Sequence, residues 1–226
     1  MAKARTPTDR ARISVAIADD YPVMREGLAR LIDDEFGFVV TGSAATAGEL
    51  RRLLSSEPPA VLVMDLMLQE TDGLALIRDI VTIAPTLRIV VFSNQPEDIY
   101  AERCLRAGAH GYVPKRDPVG NLFRAMRDIA AGGVAVSPKV SSDVLGRLMG
   151  RSARPQAVAG ALTDRELQVF RLVGRGLKTR AIADKLGVSV KTIEAHRENI
   201  KAKLSVNGHS ELVARAAEWL RATEGA

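Results

Sequence analysis

The sequence predicts two domains of different class, a doubly wound parallel α/β domain followed by a smaller all-helical domain. Over the first 130 residues, short Val/Ile-rich runs alternate with helical patterns, which is typical of buried parallel strands joined by crossover helices. After residue 161 the pattern is helical throughout. The charge changes as well: residues 1–150 carry 18 basic and 19 acidic side chains, whereas residues 151–226 carry 14 and 8. A basic C-terminal part suggests that it meets a polyanion.

Five apolar runs are the candidate strands of the first domain: ISVAIA (13–18), FVVTGSA (38–44), AVLVM (60–64), RIVVFS (88–93) and AHGYVP (109–114). Helical patterns begin near Pro22 and Thr46 and cover about 72–84, 97–107 and 117–131. The first of these helices should present one apolar face, formed by Met24, Leu28, Leu31 and Ile32. Five βα units predict a five-stranded parallel sheet of order 2-1-3-4-5.

The second domain should contain four short helices around a small apolar core. Thr163 and Glu166 have capping-box spacing at the start of the first helix, as Thr46 and Glu49 have in the first domain. We expect Thr179, Ser189 and Ser210 to open the other three helices. The predicted boundaries are 12–132 for the α/β domain, 133–160 for a linker and 161–224 for the helical domain. The Gly/Ser/Pro/Ala-rich linker includes VLGRLMG (144–150), a candidate short helix, and is most flexible near 150–160.

Composition favours a cytoplasmic protein. Cys104 is the single cysteine, which excludes an internal disulfide framework and fits a reducing compartment. No apolar run approaches the roughly 18–20 residues of a membrane span. The N-terminal MAKARTPTDRAR is basic but lacks the apolar core of a secretory signal, so we expect a disordered lead-in and no membrane partner.

Polar side chains follow four of the predicted strands, at the point where each strand ends. Asp19 and Asp20 end the first strand, Asp65 the third, Ser93 the fourth and Lys115 the fifth. In a sheet of this order those ends are neighbours, and the carboxyl ends of parallel strands form the functional crevice. A lone strand-end Asp is more often a turn or cap residue, but five polar residues at matching strand ends predict a site.

The residue types in this crevice predict phosphoryl transfer with Mg²⁺. Three carboxylates repel one another unless a cation lies among them, and Mg²⁺ prefers such oxygen ligands together with phosphate oxygens. Lys115 would neutralise phosphoryl oxygens, Ser93 would donate a hydrogen bond and Asp65 would attack in line.

The motifs ADD (18–20), MDL (64–66), DG (72–73), FSN (92–94) and GYVPK (111–115) resemble the receiver domain of two-component response regulators, over about residues 12–132. The resemblance implies that Asp65 accepts a phosphoryl group from a histidine kinase, and that Asp19, Asp20 and Asp65 bind Mg²⁺. It also implies that the backbone carbonyl of Met67 is a further metal ligand, and that Ser93 and Lys115 contact the phosphoryl group. Tyr112 matches the aromatic position that rotates inward when the serine moves.

The chain departs from the receiver pattern at three places. Gln69 stands where the family usually has proline, Tyr21 stands where His is common, and Pro114 precedes Lys115 where an apolar residue is commoner. None of the three removes a reacting group. We expect Gln69 and Glu70 to tune the access of water and therefore the lifetime of the phosphoryl group.

Residues 178–204 have the pattern of a helix-turn-helix, with a short helix, a turn at Gly187 and a longer capped helix. On the longer helix Ile193, Ile200 and Leu204 lie along one line, flanked by His196 and Arg197. The opposite face can enter a major groove; it carries Lys191, Glu194, Ala195, Glu198 and Ala202, with Lys201 to one side. Ser189, Thr192 and the helix N-terminus suit backbone phosphates. The alternatives are an ordinary surface helix and, for His196, a packed residue.

The string LTDRELQV…GRGLKTRAIADKLGVSVKTIEAHRENIKAKL…ELV resembles the LuxR-type four-helix DNA-binding domain, across about 160–222. The resemblance implies base- or phosphate-facing places for Lys191, Thr192, Glu194, Ala195 and Glu198. It implies core places for Ile182, Ala183, Leu186, Val188, Ile193 and Leu204. The chain has KTRA at 178–181 where the family often has Ser-Asn-Lys-Glu, and His209 where Arg is usual.

Together the two domains resemble NarL/FixJ-type response regulators. This resemblance implies a phosphorylation-controlled transcription factor, not an enzyme, with a sensor histidine kinase and double-stranded DNA as partners and a homodimer on DNA. An aspartyl-phosphate phosphatase is a rival, but it needs a second Asp two residues after the nucleophile, where this chain has Met67. A pseudo-receiver with a vestigial crevice is the other rival.

Overall fold

The computed structural model describes residues 12–56, 58–68, 71–149, 158 and 161–224. The expected lead-in up to residue 11, the pair Gln69 and Glu70, and nearly all of 150–160 lie outside these described residues. The chain divides into two compact units between Ser141 and Ser142.

The first unit is built on the predicted parallel sheet, whose order is β2-β1-β3-β4-β5 over the described residues. Every neighbouring pair is parallel, which confirms the predicted topology. Strand β3 is buried from end to end, and β4 is buried at every residue after Arg88, as their apolar runs indicate. The strands are β1 Ile13–Ala18, β2 Phe38–Ala44, β3 Val61–Met64, β4 Arg88–Ser93 and β5 Gly111–Pro114.

Helices connect the strands and cover the sheet. One core cluster joins Val15, Ile17, Val61 and Val63 of the sheet to α1 and α5. Alternate residues of a strand point to opposite faces, so Leu62 and Met64, which are equally buried, face the other side. The helices of this part are α1 Pro22–Asp34, α2 Ala47–Ser56, α3 Gly73–Ile83, α4 Glu97–Ala107 and α5 Val119–Ala130, and they are followed by α6 Pro138–Leu148, which runs across the division at Ser141. The last of these lies within the predicted linker.

The predicted apolar face of α1 is only partly buried. Leu28 and Ile32 are in the core, whereas Met24 is 36 % exposed and Leu31 is 48 % exposed. Of the four side chains predicted to share this face, two are therefore buried. Leu28 and Ile32 are one turn apart on the side of α1 that packs on the sheet, whereas Met24 lies a turn earlier, near the start of the helix, and Leu31 lies to one side of this row.

The second unit is helical, with α7 Asp164–Gly174, α8 Thr179–Leu186, α9 Val190–Leu204 and α10 His209–Glu224. Its core brings Phe170 of α7 against Trp219 of α10, with ring centroids 5.7 Å apart. Gly174 permits the close approach of these two helices, because a Cβ there would lie 2.6 Å from the carbonyl oxygen of Ala216.

Three of the five predicted capping residues have the expected place, and two do not. Thr163 and Glu166 form a complete capping box, and Ser189 caps α9 through the N–H of Thr192. Thr46 accepts from the N–H of Glu49, whose carboxylate accepts from the N–H of Ala45. The expectation for Thr179 was wrong.

Thr179 is the first helical residue of α8, and Lys178 occupies the cap position without a side-chain hydrogen bond. The Thr179 hydroxyl instead accepts from the guanidinium of Arg197. The last helix begins at His209, one residue before the expected Ser210. Among the described residues, none of the helices combines the length and the apolar character needed to cross a membrane.

Candidate functional site

The predicted crevice forms at the carboxyl ends of β1, β3, β4 and β5. The parallel register aligns Ala18 with Met64, and Ser93 with Pro114. The ladders continue one residue further: the N–H of Asp65 donates to the carbonyl of Ala18 (2.8 Å), and the N–H of Lys115 donates to the carbonyl of Ser93 (2.9 Å). Pro114 is accommodated in this ladder, so it does not keep Lys115 away from the crevice.

Direct hydrogen bonds join four of the five predicted crevice residues. The Lys115 ammonium lies 2.6 Å from Asp19 Oδ2 and 2.6 Å from Asp65 Oδ2. The Ser93 hydroxyl donates to Asp65 Oδ1 at 2.7 Å. All three side chains around Asp65 are nearly or fully buried, so these contacts operate in a medium less polar than water.

Asp20 completes an acidic cluster that fits a hard divalent cation. One carboxylate oxygen from each of Asp19, Asp20 and Asp65 lies within 4.8 Å of the others. Burial raises the pKa of Asp20, and repulsion from Asp19 and Asp65 raises it further. Carboxylates at this spacing repel one another, and a bound cation would offset that repulsion. Mg²⁺ is suited to the position because it prefers oxygen ligands.

Met67 lies beside the cluster, and its N–H donates to Asp65 Oδ1 at 3.2 Å. This bond holds the β3–α3 loop against the carboxylate. The role of the Met67 carbonyl as a metal ligand remains a prediction.

Lys115 stays charged in this environment. Burial alone would lower its pKa, but the negative charges and hydrogen bonds of Asp65 and Asp19 outweigh burial and raise it. A permanently protonated amine beside the Asp65 carboxylate is the arrangement that would neutralise the oxygens of an incoming phosphoryl group.

Tyr112 points into the protein and is 2 % exposed. Its hydroxyl donates to the backbone carbonyl of Gln95 at 2.6 Å, and the N–H of Gln95 approaches the Ser93 hydroxyl at 3.4 Å. Burial is the main reason that the pKa of Tyr112 is raised, so its hydroxyl remains a donor at neutral pH. The β4–α4 loop therefore connects the crevice to the predicted switch residue.

The DG motif shapes the loop after Asp65. Asp72 caps α3 by accepting from the N–H groups of Leu74 and Ala75. Gly73 lies so close to the loop that a Cβ there would be 2.1 Å from the carbonyl oxygen of Leu66. Any side chain at that position would displace the segment that follows Asp65.

Arg25 is a residue of the crevice that the sequence analysis missed. Its guanidinium donates to the backbone carbonyl of Asp19 at 2.7 Å. Because the acceptor is a backbone atom, side-chain types alone gave no signal for this contact.

The second predicted site is the exposed face of α9. Lys191, Thr192, Glu194, Ala195 and Glu198 are all exposed, and Ile193 and Ile200 are buried on the opposite side. The predicted surface therefore faces solvent over three turns of the helix. Lys201 is half-buried and forms an ion pair with Glu198 at 2.7 Å. Of the predicted core residues, Ile182, Ala183, Leu186 and Ile193 are buried, while Val188 and Leu204 are half-buried.

Polar side chains at the start and in the middle of α9 have hydrogen-bond partners within the domain. The Ser189 and Thr192 hydroxyls lie 2.8 Å apart, so the cap holds both of them at the start of the helix. Arg197 is only 7 % exposed and donates to Thr179 Oγ1 at 3.1 Å; its other terminal nitrogen is hydrogen-bonded to His209. Arg197 thus ties α9 to the first residues of α8 and α10.

Known families match both halves of the chain. Residues 15–127 match the response regulator receiver domain, and residues 160–216 match the bacterial regulatory proteins of the luxR family. The oxygen regulatory protein NreC of Staphylococcus carnosus is 30 % identical over 206 residues, which is 89 % of this chain and 95 % of NreC.

Solved structures agree with this assignment. A two-component response regulator of the LuxR family from Aurantimonas sp. SI85-9A1 is 33 % identical, covering 62 % of this chain and 99 % of its own, with a TM-score of 0.57. RcsB from Salmonella enterica serovar Typhimurium, bound to promoter P1flhDC in the presence of the phosphomimetic BeF3−, is 26 % identical with a TM-score of 0.62. It covers 92 % of this chain and 99 % of its own. The chain therefore belongs to the two-component response regulators, and it is a transcriptional regulator with a receiver domain followed by a LuxR-type DNA-binding domain.

Proposed function

We propose that Asp65 accepts a phosphoryl group from a sensor histidine kinase, and that this modification controls the binding of α9 to double-stranded DNA. The observation that carries the proposal is the environment of Asp65. One carboxylate oxygen is held by Lys115, the other by Ser93, and two more carboxylates lie beside it. An aspartate with a purely structural role at a strand end would not need a lysine, a serine hydroxyl and two further carboxylates around it.

In the proposed transfer, an oxygen of Asp65 forms a bond to phosphorus while the bond from phosphorus to the kinase's imidazole nitrogen breaks. The imidazole leaves with the electron pair and takes up a proton from solvent. Lys115 and Ser93, which now contact the carboxylate, are within reach of the oxygens of the transferred group. Both contacts strengthen as negative charge builds up on those oxygens.

Asp19, Asp20 and Asp65, with the backbone carbonyl of Met67, are the residues that would hold Mg²⁺. Mg²⁺ supplies a positive charge that offsets the charge of the phosphoryl oxygens. Met67 stands where an aspartyl-phosphate phosphatase requires a general acid, which favours a persistent phosphoryl-aspartate over rapid turnover.

We propose Tyr112 as the switch between the crevice and the surface. Ser93 contacts Asp65, the Gln95 N–H approaches Ser93, and the Gln95 carbonyl accepts from Tyr112. A phosphoryl group that draws Ser93 toward itself would shift this loop and change the preferred orientation of the tyrosine ring.

On DNA we assign base or phosphate contacts to the exposed side chains of α9: Ser189, Lys191, Thr192, Glu194, Ala195, Glu198 and Lys201. Glu can accept from cytosine, Ala can touch a thymine methyl, and Lys can reach guanine or a phosphate. We propose a homodimer that reads two half-sites about 10 bp apart or a multiple of that spacing. The structures of RcsB bound to promoter DNA, and of two RcsB dimers bound to two parallel DNAs, support this arrangement.

We assign residues 12–132 to the receiver, 133–160 to the linker and 161–224 to the DNA-binding domain. The family matches at 15–127 and 160–216 support these limits. We place the protein in the cytoplasm, where a histidine kinase and DNA are both accessible.

Incubation of the full chain with Mg²⁺ and acetyl phosphate, followed by intact mass spectrometry, tests the phosphoryl acceptor. We expect one stable adduct, which Asp65→Asn abolishes and which the surface variant Asp79→Asn retains. No adduct on the wild-type chain would support the pseudo-receiver, and continuous consumption of acetyl phosphate would support a phosphatase.

The DNA surface is tested with a duplex that the wild-type protein selects from a random library. Lys191→Ala should weaken binding to both this duplex and random DNA, whereas Glu194→Ala should mainly reduce the preference between them. Arg30→Ala, on an exposed position of α1, is the control. If both α9 variants bind both duplexes as the wild type does, α9 is not the reading helix.

A further inference from the structure

We propose that Arg25 is a positioning residue that holds the β1–α1 loop so that Asp19 and Asp20 both face the metal position. This inference rests on the proposed function of the crevice and adds a residue that acts on the metal ligands from outside. It is carried by the contact of the Arg25 guanidinium with the backbone carbonyl of Asp19, the residue before Asp20.

Arg25 contacts the loop through its side chain and its main chain. The guanidinium donates to the carbonyl of Asp19 at 2.7 Å, and the backbone N–H donates to the carbonyl of Tyr21 at 3.0 Å. These two acceptors flank Asp20 directly. The guanidinium therefore fixes the Asp19–Asp20 peptide group, directly before the Asp20 side chain, and the helical bond fixes the Tyr21–Pro22 peptide group that follows.

Asp19 is held at every polar atom that could set its orientation. Its Oδ1 accepts from the N–H of Tyr21 at 2.9 Å, its Oδ2 accepts from Lys115, and its carbonyl accepts from Arg25. The Lys115 contact ties the carboxylate to the far side of the crevice. The Arg25 contact is the one that anchors the main chain of Asp19 to α1.

The helix dipole alone disfavours a cation at position 25, close to the start of α1. The N-terminal end of a helix carries partial positive charge, so acidic side chains stabilise the first turn and basic ones oppose it. The first turn of α1 has no acidic residue, and the cap residue Tyr21 makes no side-chain hydrogen bond. Local rules of this kind are broken most often at functional sites.

The loop needs an anchor because its carboxylates repel. Asp19, Asp20 and Asp65 place three like charges within 4.8 Å, which favours a loop that swings Asp20 out toward solvent. A charge-assisted bond from Arg25 opposes that movement before any metal arrives. A loop that is already ordered loses less conformational entropy when the metal binds. Arg25 should therefore raise the affinity for the metal.

The test uses the full chain and Mn²⁺ as the metal probe, with free Mn²⁺ followed by electron paramagnetic resonance. Arg25→Gln should raise the half-saturating Mn²⁺ concentration about tenfold, the loss expected for one hydrogen bond from a charged donor. Arg25→Lys, which keeps the charge and one donor group, should recover part of the affinity. Arg30→Gln, on the same helix and exposed, should bind like the wild type.

A second measurement separates positioning from a direct role in the transfer. The rate of phosphorylation by acetyl phosphate is measured against metal concentration, and circular dichroism checks that each variant is folded. We expect Arg25→Gln to need more metal but to reach the wild-type rate at saturation. Unchanged Mn²⁺ affinity, or a rate that stays low at saturating metal, overturns the positioning role. Failure of the wild-type chain to bind Mn²⁺ would instead remove the proposed function itself.

Discussion

Lys115 and Asp65 form a buried ion pair across the ends of β5 and β3, with Nζ 2.6 Å from Oδ2. The same ammonium lies 2.6 Å from Asp19 Oδ2, so a single positive charge bridges two of the three carboxylates in the crevice. The proposed metal occupies the same acidic cluster. Lys115 and the metal would therefore compete for the negative charge of Asp19 and Asp65, although both would assist the proposed transfer.

This competition predicts opposite effects of Lys115→Ala on metal binding and on phosphorylation. Removing the amine should tighten Mn²⁺ binding by about fivefold, equivalent to about 1 kcal/mol of lost repulsion between two cations. The rate of phosphorylation should fall about a hundredfold, because a donor to the phosphoryl oxygens is lost. Manganese titration and mass spectrometry measure the two effects. Arg116→Ala, at the exposed next position, is the control, and weaker metal binding by Lys115→Ala would contradict the argument.

Tyr112→Phe tests the path from the crevice to the surface. The variant keeps the ring but loses the 2.6 Å bond to the carbonyl of Gln95, which should cost the receiver about 1 kcal/mol of stability. We expect normal phosphorylation on Asp65 and a smaller effect of phosphorylation on DNA affinity. Fluorescence anisotropy with labelled duplex, before and after treatment with acetyl phosphate, measures that ratio. Tyr21→Phe, whose ring is exposed, should leave the ratio unchanged.

The fold and the main crevice residues were accessible from the sequence because each depends on local pattern. Val/Ile-rich runs such as ISVAIA and RIVVFS can be buried on both faces only in a parallel sheet, and polar residues at their ends must then converge. The four strand-end positions follow from that geometry alone. The resemblance to the receiver family adds the chemical role of each residue.

Contacts that depend on tertiary geometry were not accessible. Thr179 has a good capping side chain, but the guanidinium of Arg197 from another helix engages its hydroxyl. Arg25 donates a hydrogen bond to a backbone carbonyl, and because every residue has one, the sequence does not indicate this contact. Met24 and Leu31 fit a helical period, yet the depth of burial of each turn depends on how α1 lies on the sheet.

Glu166 should be a main determinant of the stability of the DNA-binding domain. It is buried, its carboxylate completes the capping box with Thr163, and Lys203 Nζ lies 2.7 Å from Oε2. Burial alone would raise the pKa of Glu166, but the hydrogen bonds from Lys203 and Thr163 outweigh it and lower the pKa. Lys203→Met leaves the buried carboxylate without its charged partner and should cost about 1–3 kcal/mol.

The same contact should make the DNA-binding domain less stable at low pH. A lowered folded-state pKa means that the stabilisation is complete above the ordinary value of 4.5 and is lost as the pH falls through the folded value. Denaturant titrations followed by the fluorescence of Trp219, the only tryptophan, measure this domain. Glu166→Gln should flatten the pH dependence in that window. A dependence that persists in Glu166→Gln would assign it to another group.

His110 should make the receiver less stable in mild acid. Its Nδ1 accepts from the N–H of Ile89 at 3.2 Å, which requires the unprotonated nitrogen. Burial lowers the pKa of His110, and the nearby Arg88 lowers it further. Below the ordinary value of 6.5 the unfolded chain takes up the proton first, so stability is lost as the pH falls from there through the folded value. Above pH 6.5 the contribution of His110 to the stability of the receiver is complete and does not change with pH.

The two domains can be distinguished in one protein, because all three tyrosines lie in the receiver and the single tryptophan lies in the DNA-binding domain. His110→Gln should reduce the loss of stability below pH 6.5 in titrations followed by near-ultraviolet tyrosine dichroism, with little change in tryptophan fluorescence. His196 offers the reverse control, because burial and then Arg165 lower its pKa in the other domain. His196→Gln should therefore alter the tryptophan signal alone. If His110→Gln leaves the tyrosine-detected pH dependence unchanged, the bond to Ile89 is not its source.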